Sequence, residues 1–278
     1  MDGSSRRQRS SGCDLPRLGH GPGYYVILIG EVVTVSDSSY LMSNTSPETV
    51  ARFQGLELTL DSVSMSHLRR IGVSRGDRCL ELGCGGGSIA RWLAGEVGPD
   101  GHVTAVDIDT RWFQHDGSPQ LEVRELDLVA GPIPEGPWDL IHERLAPGGW
   151  LVVEDFDTGE VRTTDRDGPD HDLIVRMATA FNRLLSERGG ANDFAANAWR
   201  HLRQRGLVVT GASGHVAFDS GGTGFAQVMA ANARQVRQGL VGSGIAPGDI
   251  DRFLEVLAKP DTIVGTSVLV TAWGQRPD

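Results

Sequence analysis

Cys79-Leu80-Glu81-Leu82-Gly83-Cys84-Gly85-Gly86-Gly87-Ser88-Ile89-Ala90-Arg91-Trp92-Leu93 decides the fold. It reads as a short strand, a turn with glycine at every second position, and then a helix. Glycine is needed where backbone turns with φ > 0 or approaches a ligand with no Cβ in the way. The helix that follows points its unpaired N–H groups at whatever lies over the glycines. Such a turn binds a nucleotide-like ligand at the carboxyl end of a parallel sheet. An acid, Glu81, stands two residues before the first glycine.

The segments downstream repeat the strand-then-acid pattern. Gly101 to Asp109 is a second strand, entered through a Gly-Pro-Asp-Gly turn at 98–101. Asp107 lies where an acid accepts both hydroxyls of a ribose; capping a loop is its other reading. Leu121 to Leu128 is a third strand and Trp138 to His142 a fourth. Ala146 to Asp155 reads as a Pro-Gly-Gly turn followed by a buried fifth strand.

Together these residues resemble the class I S-adenosylmethionine-dependent methyltransferases. Glu81-x-Gly83-x-Gly85-x-Gly87 is similar to their motif I, and Pro147-Gly148-Gly149 to their turn before the fifth strand. The resemblance covers residues 40–278 and is specific only over 79–155. It implies a Rossmann-like, doubly wound, seven-stranded, mostly parallel sheet with helical lid and cap insertions. It implies S-adenosyl-L-methionine as cofactor, with Glu81 facing the ammonium, directly or through water. Backbone at Gly83, Cys84, Gly85 and Gly87 would face the carboxylate, Asp107 and Ile108 the ribose and adenine, and Asp127 and Leu128 the adenine amino group and ring. Tyr40, with Asn44, would line a lid; exposed linker is the alternative reading. His142 would serve as general base, or pack under the adenine.

Two other readings stay open. The chain could hold the cofactor without transferring methyl, as a binding or scaffold module or in a cofactor-assisted rearrangement. A nicotinamide-dependent oxidoreductase also uses a glycine turn, but it calls for G-x-G-x-x-G/A, and Ser88 stands at the last place.

One departure weakens catalysis. Between Ile141-His142-Glu143 and Pro147-Gly148-Gly149 the family has a loop and a whole helix; here only Arg144, Leu145 and Ala146 intervene. Parallel strands need a dozen or more connecting residues, whereas residues 143–149 span at most about 25 Å. The sequence therefore predicts that Ile141, Leu151 and Val153 are partly exposed for want of a covering helix, unless another segment moves in.

Composition sets the remaining bounds. The chain of 278 residues suits one α/β domain. Its net charge of −10 argues against non-specific nucleic-acid binding, so the expected partner is a small-molecule acceptor. No apolar run approaches the ~18 residues of a membrane span. The three cysteines, Cys13, Cys79 and Cys84, have no metal spacing, which suits a reduced cytoplasmic setting with no metal. No feature of the sequence indicates an oligomeric state.

Residues 1–39 read as a poorly ordered extension, with Met42 as an alternative start. Residues 40–70 form the lid, 71–157 the cofactor-binding half and 158–278 the substrate-side helices and last strands. Ser46 reads as an N-cap with Pro47 at the first helical position. Met177, Phe181, Phe225 and Met229 either line a substrate chamber or form plain core.

Overall fold

The computed structural model describes residues 41–42, 44–127, 134, 138–140, 145–158, 167–188 and 194–277. Tyr40, Leu128, Ile141, His142 and the extension 1–39 lie outside them.

A helix, α1 (Thr49–Ile71), precedes the sheet. It starts later than the Ser46-Pro47 reading. Ser46 Oγ accepts the Glu48 N–H (3.2 Å) and its carbonyl the Thr49 N–H (3.1 Å), so the serine caps the turn that leads in. The helix ends at Gly72, φ 101°, with the Gly72 and Val73 N–H groups returned to the last turn. This is a left-handed C-terminal cap, which glycine adopts without Cβ strain.

Strand β1 (Arg78–Leu82), α2 (Ser88–Val97), β2 (His102–Asp107), β3 (Leu121–Glu125), β4 (Trp138–Leu140) and β5 (Leu145–Asp157) follow. Next come α3 (His171–Glu187), α4 (Phe194–Gln204), β6 (Val208–His215), β7 (Phe218–Ser220), α5 (Gly224–Gln235), α6 (Arg237–Gly242) and α7 (Pro247–Leu257), then β8 (Ile263–Gly265) and β9 (Val268–Gln275). The main sheet has the order β3-β2-β1-β4-β5-β9-β6. Strands β3, β2 and β1 pair in parallel over five rows each, while β4 joins β1 through the single row Cys79–Leu140. Strand β9 runs antiparallel to both β5 and β6. This is a Rossmann-like α/β arrangement: successive strands run outward from β1 to β3, and the chain then returns to the far side of β1. Ligands bind where the order reverses, beyond the carboxyl ends of the strands.

Both faces of the sheet are covered. Leu68, Cys79, Ile89, Leu93, Val103 and Ala105 pack on the α1 and α2 side. On the other side Leu80, Leu82, Val106, Leu151 and Val153 meet Phe194, Ala198 and Leu202 of α4. Leu151 and Val153 are 2% and 1% exposed, so of the two expectations, exposure or cover by another segment, the second holds for them. Helix α4 comes from beyond β5 in sequence and supplies the missing cover. The Pro147-Gly148-Gly149 run is likewise not a turn ahead of β5 but lies within it. Gly148, at φ 76°, donates to the Arg276 carbonyl (3.0 Å), and Gly149 accepts from Arg276 (2.8 Å).

A second, helical lobe is built by α3, α5, α6 and α7, closed by Met42 and Val264. Here Met177 is core (2% exposed), with Phe181 and Met229 packed around it. The small antiparallel sheet β7–β8 was not legible in the sequence. Among the described residues no helix is long and apolar enough to cross a membrane.

Candidate functional site

The glycine turn sits at the carboxyl end of β1. Gly83, Gly85 and Gly87 adopt φ of 80°, 51° and 81°, the left-handed region that an L side chain rarely adopts. The Gly83 and Cys84 N–H groups reach the Val106 carbonyl at the end of β2 (2.7 and 3.1 Å). Gly87 is the N-cap of α2 and brings no side-chain cap to it. Phe53 of α1 lies in van der Waals contact over Gly85, Glu57 of α1 closes over Gly86, and the Phe113 ring fills the place of a Cβ on Gly87.

Asp107 ends β2 and is 8% exposed. Its Oδ2 accepts the Gly85 N–H (2.9 Å) and its Oδ1 the Asp109 N–H (3.1 Å). Burial raises its carboxyl above the ordinary range, against the pull of these backbone donors. Ile108, next along, is 42% exposed, an apolar side chain presented beside the acid.

Glu81 carries the strongest electrostatic signal. It is 4% exposed, and neither carboxylate oxygen has a hydrogen-bond partner among the described residues. Burial pushes its pKa well up, and the negative charges of Asp61 and Asp107 push further, with Arg91 opposing. A buried, unpaired carboxylate is expensive, and buried orphans of this kind mark sites that something else completes. Asp61, on α1, is raised to about 6 by burial, partly offset by the Ser88 hydroxyl, with Glu57 adding to the rise. Glu57 is raised as well, by burial, with Arg91 opposing. The Arg91 guanidinium is itself engaged by the carbonyls of Gly86 (2.7 Å) and Gln114 (2.9 Å).

Of the residues singled out in the sequence, the structure gathers Glu81, Gly83, Cys84, Gly85, Gly87, Asp107 and Ile108 around one turn. The Cys84 side chain faces the core at 0% exposure, its thiol pushed up by burial, so it offers only backbone. Asp127 follows β3, and Leu128, His142 and Tyr40 lie outside the described residues. Sequence reading missed Phe53, Glu57 and Asp61. Their signal is the spacing: these residues recur every four positions and share one face of α1.

A second polar cluster lies under the carboxyl half of α1. Glu154 of β5 accepts from Ser64 (2.5 Å) and Thr271 (2.7 Å), and His67 Nδ1 lies 3.3 Å away. His67 Nε2 meets the Ser213 hydroxyl at 2.8 Å. No serine–histidine–acid set stands out in the sequence, yet the fold assembles one from three distant elements. Glu154, Thr271 and Ser213 form one row across β5, β9 and β6, which makes the cluster a fastening between helix and sheet. Asp155 is raised to about 7 by burial, against the Phe156 N–H. Among the described residues no group of side chains could hold a metal ion.

No family model matches this sequence, and no curated protein does. Solved structures of similar fold include methyltransferases. A cyclopropane-fatty-acyl-phospholipid synthase-like protein from Lactobacillus casei is 16% identical over 82% of this chain and 90% of its own, TM-score 0.47. An S-adenosylmethionine-dependent methyltransferase from Aquifex aeolicus is 14% identical over 83% and 93%, TM-score 0.41. A Haemonchus contortus phosphoethanolamine N-methyltransferase, solved with S-adenosylhomocysteine, is 13% identical over 78% and 53%, TM-score 0.46. At these identities and scores the likeness is one of chain course alone.

Proposed function

We propose that this chain binds S-adenosylmethionine at the glycine turn and transfers its methyl group to a small molecule. The observation that carries the reading is Glu81, a buried carboxylate with both oxygens unpartnered at the end of β1. A ligand that brings a cation to that point completes it. A dinucleotide brings a diphosphate instead. With Glu57, Asp61, Glu81 and Asp107 all near the turn, a diphosphate would meet like charge, which favours the sulfonium and ammonium of S-adenosylmethionine over a nicotinamide cofactor.

In this reading Glu81 holds the ammonium and the N–H groups at the start of α2 hold the carboxylate; those of Gly83, Cys84, Gly85 and Gly87, expected to face it, are instead taken by the Val106 carbonyl, Asp107 and the Cys84 carbonyl. Asp107 holds the ribose diol, Ile108 packs on the adenine, and Asp127 and Leu128 complete the adenine pocket. Tyr40 belongs to the lid. When bound, the sulfonium supplies an already activated methyl group. The chain's own task is then mainly positioning and exclusion of water, for which Phe53 and Phe113 packed against the turn are suited. His142, two residues beyond β4 in sequence, is the candidate base.

A second reading, cofactor binding without methyl transfer, is favoured by one observation: β5 begins at Leu145, after β4 ends at Leu140. That leaves four residues where a substrate-side helix would stand. Titration calorimetry with S-adenosylmethionine, S-adenosylhomocysteine and NAD separates the cofactors. Binding of the first two and not of NAD is expected; preferential binding of NAD overturns the proposal. Release of labelled methyl to a panel of acceptors separates transfer from binding alone.

A further inference from the structure

Each glycine from Gly85 to Gly87 has a side chain of this protein set against the face that a missing Cβ leaves open. Phe53 lies on Gly85, Glu57 on Gly86 and Phe113 on Gly87. Two of the three are aromatic rings, which wall the turn. The third is a carboxylate, and its surroundings do not call for one. Glu57 makes no ion pair among the described residues, and burial raises its carboxyl above the ordinary range, with Arg91 opposing. The Arg91 guanidinium is itself spent on the Gly86 and Gln114 carbonyls (2.7 and 2.9 Å).

Gly86 stands just before Gly87, the N-cap of α2, which has no side-chain oxygen to offer the helix. The Arg91 N–H is the first to return to the cap, at the Gly87 carbonyl (3.0 Å). The N–H groups of Ser88, Ile89 and Ala90 therefore have no intrahelical acceptor. A helix end of this kind favours a carboxylate. In the cofactor reading above, the carboxylate of S-adenosylmethionine takes it. Resting on that reading, we infer that Glu57 is an internal plug: its carboxylate competes with the cofactor's carboxylate for the start of α2, and it swings away when the cofactor is seated.

The side chain moves and the helix stays. Two residues before Glu57, Gly55 lies so close to α5 that a Cβ would strike the Gly224 carbonyl and Val228. Two residues after it, the Thr59 hydroxyl donates to Asp219 (2.8 Å). Arg52 holds the first turns to Asn44 and Gln235 (2.6 and 3.2 Å). Between these anchors Glu57 is half-buried, so water is within reach of the displaced carboxylate and restores the hydration that burial removes. The plug then sets affinity by mass action. The apparent dissociation constant is the intrinsic one divided by the fraction of molecules in which Glu57 is swung out. Removing Glu57 therefore tightens cofactor binding, whereas removing a side chain that holds the cofactor weakens it.

That difference in sign is the test. Calorimetry of the full chain compares S-adenosylhomocysteine with adenosine, which lacks the amino-acid tail, on the native protein, Glu57→Gln and Glu57→Ala. Glu57→Ala should bind S-adenosylhomocysteine about tenfold more tightly than the native chain, the factor expected if the open arrangement is populated about one time in ten. Glu57→Gln, which keeps the length and loses the charge, should gain less. Adenosine should bind all three proteins alike. Thermal melts identify a variant that fails to fold, and the other then carries the comparison. The inference is overturned if the folded variants bind S-adenosylhomocysteine no more tightly than the native chain. Weaker binding would make Glu57 a contact to the cofactor. An equal gain for adenosine overturns it as well, because the competition is then not with the carboxylate. These outcomes leave the cofactor reading standing. If neither the native chain nor the variants bind S-adenosylhomocysteine, that reading falls and the plug with it.

Discussion

His67 of α1 and Glu154 of β5 meet Nδ1 to Oε1 at 3.3 Å and pin the first long helix to the middle of the sheet. With its proton on Nδ1 the ring donates to Glu154 and accepts the Ser213 hydroxyl at Nε2, 2.8 Å away. Glu154 also takes Ser64 and Thr271. Glu154→Ala strands those two buried donors as well as the histidine. Leaving a buried group without its partner costs about 1–3 kcal/mol, so the variant should lose about that much unfolding free energy and show a lower urea midpoint. An unchanged midpoint would mean that the cluster adds nothing to stability.

Asp61 makes stability depend on pH. Its carboxyl is raised from 3.8 to about 6, first by burial, so the native chain binds this proton more tightly than the unfolded chain. The stabilisation is fully present below the unfolded value and is lost as pH rises through the folded one. Asp61→Asn removes the effect. The variant should gain melting temperature over the native chain as pH rises from about 4 to 7, a difference that differential scanning fluorimetry across buffers reads directly.

A cation in the same place prefers the ionised acids. S-adenosylmethionine should therefore bind more tightly as pH rises through about 6, releasing protons, while uncharged-sulfur S-adenosylhomocysteine changes less. Calorimetric heats that vary with the ionisation enthalpy of the buffer are the expected sign. Equal pH profiles for the two ligands would remove the sulfonium from this cluster.

Asp107→Ala should weaken S-adenosylhomocysteine binding at least about tenfold, since hydrogen bonds to a charged group contribute about 1.5–3 kcal/mol each. Asp107→Asn keeps an oxygen that can still accept the Gly85 N–H and so separates support of the turn from contact with the ligand. Unchanged calorimetric affinity in a folded Ala variant would sink the assignment.

Gly87→Ala meets two obstacles. A side chain at φ 81° costs about 1–2 kcal/mol, and its Cβ would run into the Phe113 ring. Pairing it with Phe113→Leu should recover the steric part of the lost melting temperature and leave the backbone part. Full recovery would show that the left-handed geometry is not under strain.

Much of the half before β4 was legible because its signals are local. The positive-φ glycines, the acid ending β2 and the apolar β1 all announce themselves within a few residues. The acids of α1 were not legible as site residues, since nothing near Glu57 or Asp61 in sequence says that Gly86 and Ser88 will lie beneath them. Which segment covers Leu151 and Val153 was not legible for the same reason: it is α4, some forty residues on. Ser213, His67 and Glu154 form a set only once β6 has been laid beside β9. Helices α5 and α6 are separated only by Val236, the C-cap of one and the N-cap of the other, and no glycine or proline marks the break.

Helix α1 also has a history written into its contacts. It leaves the ribosome before almost everything it touches: Ser64 waits 90 residues for Glu154, His67 waits 146 for Ser213, and Thr59 waits 160 for Asp219. At bacterial to eukaryotic synthesis speeds of about 5–20 residues per second the last of these is a delay of roughly 8–32 s. Leu68 meets Cys79, Ile89 and Leu93 early, but Leu56 and Leu60 wait for Phe156, Val228 and Leu269. Silent codon changes that slow translation between α1 and β6 should lower the yield of folded protein while leaving the finished molecule's stability untouched.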